Sequence, residues 1–358
     1  MIFKNINQIK DIDFEVVIIG SGPAGISLAL KLEKKKIKSL IIEAGPEEFS
    51  DTSQEFYTSK IVGDTITNLK ESRLRQFGGT SAIWGGWSKP MEKYNLTNWG
   101  ITYSELEKFS NEACKILNIN NNFRKSNISK HFNQIEFQYS PVRFNEKYKD
   151  HITKSFFINL ILNTQATKFI GNENKTESVE CIFNNQSFKI KSKFFILCAG
   201  GIENSRILLW SRINGNLINK NSPVGLHWMT HPWFLGGYGV LKKRELSKFL
   251  GNNYINRDGP LHIASSNILK KEKNILSGSI YMDVKENKKF YKEIIKDLLC
   301  VAPEFGKKIA RNILEKDLKC GNIFMHMEDP PNNENKISLD ISTKDNTNST
   351  NYYTYSYT

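Results

Sequence analysis

Phe14-Glu15-Val16-Val17-Ile18-Ile19 is a short apolar, β-branched run that passes directly into Gly20-Ser21-Gly22-Pro23-Ala24-Gly25, a G-x-G-x-x-G. A run of this length and composition predicts a buried strand. The residues after it predict a helix, with Ile26, Ala29, Leu30 and Leu32 on or near its inner side. Ser39-Leu40-Ile41-Ile42 then reads as a second buried strand, ending at Glu43-Ala44-Gly45. Strand, glycine turn, helix, strand and acidic tip in this order are what a dinucleotide site requires. Gly20 permits the tight turn, Gly22 lets backbone approach a pyrophosphate, and Gly25 lets helix pack closely on strand. The free N–H groups of the helix N-terminus suit phosphate, and Glu43 can accept from ribose hydroxyls. The motif alone fits FAD and NAD equally.

The chain has 358 residues, which suggests two domains or one large domain with an insertion. Hydrophobic residues make up 39%, enough for a sizeable core. No stretch approaches the apolar length of a membrane-spanning helix, so no transmembrane segment is expected. The opening MIFKNINQIK lacks the apolar centre of a signal peptide. Cys114, Cys181, Cys198, Cys300 and Cys320 are scattered without a C-x-x-C pair. That pattern fits neither a disulfide framework nor a zinc site, so a cytoplasmic location is the expectation.

The formal charge of +13 raises nucleic acid or an anionic membrane as partners. Lys, however, far outnumbers Arg, the residue of base and phosphate forks, and the chain is rich in Asn and Ile. Such a mix is what an AT-rich coding sequence produces. The run Lys34–Lys36 falls where the first helix should end, and cations suit a helix C-terminus. No nucleic-acid partner is expected.

A second glycine cluster, Arg73-Leu74-Arg75-Gln76-Phe77-Gly78-Gly79-Thr80-Ser81-Ala82-Ile83-Trp84-Gly85-Gly86-Trp87, defeats any regular helix. It resembles the N-terminal signature of the glucose–methanol–choline (GMC) oxidoreductases, flavoenzymes of alcohols and sugars. The resemblance continues in Trp99–Ser104 with Glu105-Leu106-Glu107, and in Phe194 through Arg206, similar to the family's strand–glycine–helix crossing beneath the flavin. It extends to Val224-Gly225-Leu226, Met229-Thr230-His231-Pro232, and Glu328–Asn332 with Asn335–Leu339. The closest likeness is to bacterial members acting on sugars or sugar-like polyols. Within Trp99–Glu107, Ser104 and Glu107 read as a capping box, followed by Leu106, Phe109, Ala113 and Ile116.

The resemblance implies FAD as cofactor. By it, Gly20, Gly22, Gly25, Glu43 and Ala44 hold the ADP half. Gly79, Thr80, Ser81, Trp84 and Gly85 lie against the pyrophosphate and isoalloxazine. Ala166 and Thr167, in an apolar strand spanning Leu160–Phe169, sit toward the adenine, with Ala199 and Gly200 close by. Ile83 stands where some relatives carry a flavin-tethering His, so non-covalent binding is implied.

The family's catalytic His comes from a C-terminal segment with a further flavin-binding strand and helix. Here residues 346–358 contain only Asn, Thr, Ser and Tyr, with no apolar period. A frameshift or premature stop in an AT-rich gene is the expected account. His227 and His231 are four apart, yet Pro232 argues against a helix that would align them for metal. None of His131, His151, His227, His231, His262 and His326 is assigned as the base.

The expected architecture is α/β: a Rossmann-like FAD/NAD(P)-binding domain of GMC type with an α+β substrate domain on an antiparallel sheet. Residues 10–90 and 150–225 form the FAD-binding part, 91–149 and 226–345 the cap and substrate part, and 346–358 a low-complexity tail. A helix near Glu286–Cys300, with Phe290, Ile294, Leu298 and Leu299 on one side, is expected to pack on that sheet or cover the site. The implied function is an FAD-dependent oxidoreductase taking hydride from a CH–OH group of an alcohol, sugar or polyol to flavin N5. The electron acceptor is left open. The alternative is a truncated, non-catalytic FAD-binding remnant.

Overall fold

The computed structural model describes the chain except for residues 11, 64–67, 97–98, 216, 243–260, 285–287, 315–317, 345–350 and 358. It divides into two units. Unit 1 comprises Met1–Trp84, Val142–Met229 and Pro331–Thr358, and unit 2 comprises Gly85–Pro141 and Thr230–Pro330.

Unit 1 is built on a five-stranded sheet. Its order is Ile2–Phe3, Ile158–Ile161, Ser39–Ile42, Val16–Ile19 and Phe194–Leu197, and every pairing is parallel. Strands covered on both faces read as unbroken apolar runs. Accordingly Val17, Ile18, Leu40, Ile41, Ile158, Leu160 and Ile161 are all fully buried. Burying each such Val, Ile or Leu side chain contributes about 1.5–3 kcal/mol, so this sheet is the stability centre of unit 1. The crossover helix Pro23–Lys34 places Gly25, Ile26 and Ala29 inward and ends with Lys31 and Lys34 in its last turn. The apolar and basic periods of the sequence are thus both realised.

Three sequence expectations are corrected within unit 1. Leu160–Phe169 is not one strand. The chain turns at Asn163, which takes φ 54°, and Gln165–Asn172 joins a separate antiparallel sheet with Lys175–Phe183 and Gln186–Lys191. A continuous apolar run hides such a corner, because Asn adopts the left-handed conformation at little cost. The strand Lys336–Lys344 belongs to unit 1, not to the substrate part. It pairs with Asn351–Tyr357, which pairs in turn with Lys60–Gly63. The polar tail therefore contributes a strand: Thr and Tyr are good strand formers, and ladder hydrogen bonds need no apolar face.

Unit 2 contains a six-stranded sheet, in the order Trp233–Lys242, Leu318–Met327, Gly278–Val284, Leu261–Ser265, Phe132–Glu136 and Lys125–Asn127, all antiparallel. The parallel-plus-antiparallel expectation is met. The first helix of this unit is capped two residues earlier than expected. Thr102, not Ser104, is the N-cap, and it forms the capping box with Glu105: the Glu105 carboxylate accepts from the Thr102 amide at 2.7 Å. The expected single helix then breaks, and a second one runs Ser110–Leu117. The predicted helix near Glu286–Cys300 is Lys288–Val301, followed by Pro303–Leu314. The side chains of Phe290 and Ile294 lie outside the described residues, so the expected packing of that helix is not described. Among the described residues no helix is long and apolar enough to cross a membrane.

Candidate functional site: a glycine cradle at two helix N-termini

The site candidates of unit 1 gather at the C-terminal ends of the parallel strands, where open α/β sheets take their ligands. Gly20 leaves the strand with φ 102°, and a Cβ there would lie 2.7 Å from the Cys198 carbonyl oxygen and 2.9 Å from Ala199 Cα. The two strand–helix turns, at Gly20–Gly22 and Cys198–Gly200, are therefore in backbone contact. A Cβ on Gly25 would sit 2.0 Å from the Gly20 carbonyl oxygen, so only glycine lets the helix approach its strand.

Gly22 differs from both. It is the N-cap of the twelve-residue helix, offers no side-chain cap, and a Cβ on it would meet nothing within 4 Å. The first-turn amides are groups a helix leaves without internal partners. The fourteen-residue helix Gly200–Ile213 has Ala199 as its N-cap, whose amide donates to Asn204 Oδ1 at 3.0 Å; it too has no side-chain cap on its first turn and open space over Gly200. Two uncapped helix N-termini with their positive dipole ends, held together by touching turns, make a cradle for a polyanion. The Gly78-Gly79 loop approaches it: a Cβ on Gly79 would stand 3.2 Å from Gly22 Cα.

Glu43 is buried beneath this cradle. Its carboxylate accepts from the Ser21 hydroxyl at 2.6 Å, the Ser21 amide at 3.0 Å and the Gly45 amide at 2.8 Å. Burial raises its pKa above the usual carboxylate range, opposed by these donors and by Arg75. With about four acceptor sites on a carboxylate, roughly one remains for a further donor. Ala44 lies half-buried beside it. The neighbouring corner docks on this strand tip, as the Thr164 amide donates to the Glu43 carbonyl and the Asn163 amide to the Gly45 carbonyl.

Other predicted residues are placed by their own partners. Ser81 is buried, donating to the Gly78 carbonyl at 2.7 Å and accepting from the Phe144 amide at 3.1 Å. The Thr80 hydroxyl accepts from the Leu74 amide, and the Trp84 indole N–H donates to the Val142 carbonyl at 3.0 Å. These side chains shape the second glycine loop. Ala166 and Thr167 are buried in the separate antiparallel sheet, where the Thr167 hydroxyl donates to the Glu180 carbonyl. Gly85 is exposed and falls in unit 2.

The two arginines of the second glycine cluster anchor it to the rest of unit 1. Arg75 is buried and spans Ser53 Oγ at 2.8 Å and Gln165 Oε1 at 3.1 Å. Arg73 donates to Glu203 Oε1 at 2.7 Å, and Arg206 donates to Glu203 Oε2 at 2.6 Å. This network ties the second loop to the helix Gly200–Ile213. Only the appearance of Arg73 and Arg75 just before Gly78-Gly79 hints at it in sequence.

His227 and His231 lie in irregular chain, and among the described residues no group of three or more His, Cys, Asp or Glu could hold a metal ion. In unit 2, His262 Nδ1 bonds the Ser279 hydroxyl at 3.0 Å amid Trp87, Phe137 and Tyr281. Burial, with His326 nearby, pushes its pKa down to about 3, which keeps it neutral.

No family model and no curated protein matches the sequence. Solved structures do match by fold. Pyridoxine 4-oxidase from Mesorbium loti aligns over 96% of this chain and 75% of its own, at 10% identity and TM-score 0.57. An FAD-dependent oxidoreductase from Chaetomium thermophilum aligns over 96% and 78%, at 12% identity and TM-score 0.54. Formate oxidase from Aspergillus oryzae aligns over 96% and 77%, at 12% identity and TM-score 0.52. At these identities the likeness is one of fold: the chain has the GMC-type architecture of a Rossmann-like parallel sheet with a partner unit on an antiparallel sheet.

Proposed function

We propose that the chain binds FAD in unit 1 and serves as an oxidoreductase for a CH–OH group of an alcohol, sugar or polyol. The observation that carries the reading is the open glycine cradle, in which the uncapped N-termini at Gly22 and Gly200 meet through touching turns. A dinucleotide pyrophosphate is the polyanion whose charge and size suit two adjoining helix N-termini.

In this reading Gly20 and Gly25 set the turn and the helix approach, while the Ala24 and Gly25 amides, beyond the donorless Pro23, donate to phosphate. Glu43 takes a ribose hydroxyl at its remaining acceptor position, and Ser21 keeps the carboxylate oriented. Ala44, Ala166 and Thr167 lie toward the adenosine side, Ala199 and Gly200 toward the pyrophosphate. Gly79 passes over the cradle, with Thr80, Ser81 and Trp84 fixing its loop and Gly85 leading out of it. Bound FAD would supply the hydride acceptor, at N5, for oxidation of the CH–OH carbon. The antiparallel unit is the substrate-side domain of this proposal.

Anaerobic titration tests the oxidation. The flavin of the reconstituted protein is expected to bleach when an alcohol, sugar or polyol is added. Flavin absorbance that none of these bleaches would contradict the oxidation while leaving FAD binding in place.

A further inference from the structure

We propose that the corner between the helices Lys288–Val301 and Pro303–Leu314 is a docking surface for an anionic lipid bilayer. The two helices turn sharply on Ala302. The Ala302 amide donates to the Leu298 carbonyl and the Gly306 amide to the Ala302 carbonyl, each at 2.8 Å. Gly306 makes the corner tight, since a Cβ there would lie 2.9 Å from the Leu299 amide nitrogen. The two backbones are therefore in contact, and the side chains at the turn are forced outward.

Those outward side chains are apolar. Val301 is 87% exposed, the highest of the large hydrophobic residues described, and Phe305 is 58% exposed. Leu299 is exposed beside them. A soluble surface carries single exposed apolar residues freely, but three close together at one helix corner call for a partner. The sequence of the two helices names its chemistry. Phe290, Ile294 and Leu298 recur at intervals of four, as do Phe305, Ile309 and Ile313; the positions between carry Lys292, Lys296, Lys307, Lys308 and Arg311 alongside Glu293 and Asp297. Residues 288–314 hold seven basic side chains against three acidic ones.

Lys296, Lys307 and Lys308 are exposed at the corner itself. Asp297 and Glu304 share it, and Glu304 is held by Lys307 at 2.8 Å. An amphipathic helix with apolar tips, a basic polar face and low overall hydrophobicity is the pattern that lies in a bilayer interface. Anionic headgroups attract the flanking lysines while the apolar tip enters the acyl boundary. The net charge of +13 adds long-range attraction to the same surface.

The test is co-sedimentation of the full chain with phosphatidylcholine vesicles, with and without phosphatidylglycerol. The proposal expects about tenfold more bound protein on the anionic vesicles. Val301→Asp with Phe305→Asp is expected to erase most of that difference while flavin content and far-UV circular dichroism stay unchanged. Lys307→Glu with Lys308→Glu should weaken binding on anionic vesicles alone. Equal binding to both vesicle types overturns the proposal. Anionic preference retained by the double Asp variant overturns the corner as its site. An absence of vesicle binding, with a dimer in solution that the double Asp variant separates, overturns it in favour of a second copy of the chain.

Discussion

Ser21 and Glu43 are joined twice: the Ser21 hydroxyl donates to Glu43 Oε2 at 2.6 Å and the Ser21 amide donates to the same oxygen at 3.0 Å. The same hydroxyl accepts from the Gly78 amide at 3.1 Å, so one side chain links the first glycine turn, the acidic strand tip and the second glycine loop. Removing it with Ser21→Ala leaves a buried carboxylate short of a donor. The expected loss of unfolding free energy is about 1–3 kcal/mol, read from urea denaturation. FAD affinity should fall as well, because the three segments lose their common tether.

Glu43 also gives a pH signature. Burial raises its folded pKa above the ordinary 4.5, so the folded chain holds this proton more tightly than the unfolded chain. Its contribution to stability is then greatest at low pH and declines as pH rises from that ordinary value through the raised folded value. Glu43→Gln should flatten this decline in melting temperature against pH, compared with the parent chain.

His262 acts in the opposite sense. Its folded pKa of about 3 lies below the ordinary 6.5, so its share of stability is complete above pH 6.5 and is lost as pH falls toward 3. Acidification from pH 7 to 5 should lower the urea midpoint of the parent chain. His262→Phe, which keeps a ring among Trp87, Phe137 and Tyr281, should show a smaller loss over the same interval.

Glu203 holds Arg73 and Arg206 in a nearly buried triad. Glu203→Ala takes the shared carboxylate from two largely buried guanidinium groups and leaves them backbone carbonyls such as Leu69 and Ala166; breaking a buried pair from one side costs about 3–5 kcal/mol. A thermal shift close to that of the parent would contradict the structural weight given to the triad.

Much of unit 1 was legible in sequence because its signals are local. The G-x-G-x-x-G, the apolar runs of Val16–Ile19 and Ser39–Ile42, and the lysines closing the first helix each announce themselves within a few residues. What escaped depends on distant or conformational partners. The Asn163 corner is invisible inside an apolar run. The anchors of Ser81 and Trp84, Phe144 and Val142, arrive about sixty residues later in the chain. The Arg73–Glu203 contact spans 130 residues, a separation no periodicity reveals. Thr102 and Ser104 both offer a capping hydroxyl, with Glu105 and Glu107 each three residues on, so only the backbone decides which box forms.

Gly25 and Gly22 separate folding from binding. A Cβ on Gly25 strikes the Gly20 carbonyl at 2.0 Å, so Gly25→Ala should cost about 3 kcal/mol or more and reduce soluble yield. A Cβ on Gly22 meets no protein atom within 4 Å, so Gly22→Val should fold with a melting temperature near that of the parent. The central claim, that the cradle over Gly22 takes the pyrophosphate of FAD, is tested most directly by measuring bound flavin in both chains after reconstitution with FAD. The account predicts a yellow parent with FAD released on denaturation, and a folded, colourless Gly22→Val. A parent that retains no FAD, or a Gly22→Val chain that retains as much as the parent, would contradict it.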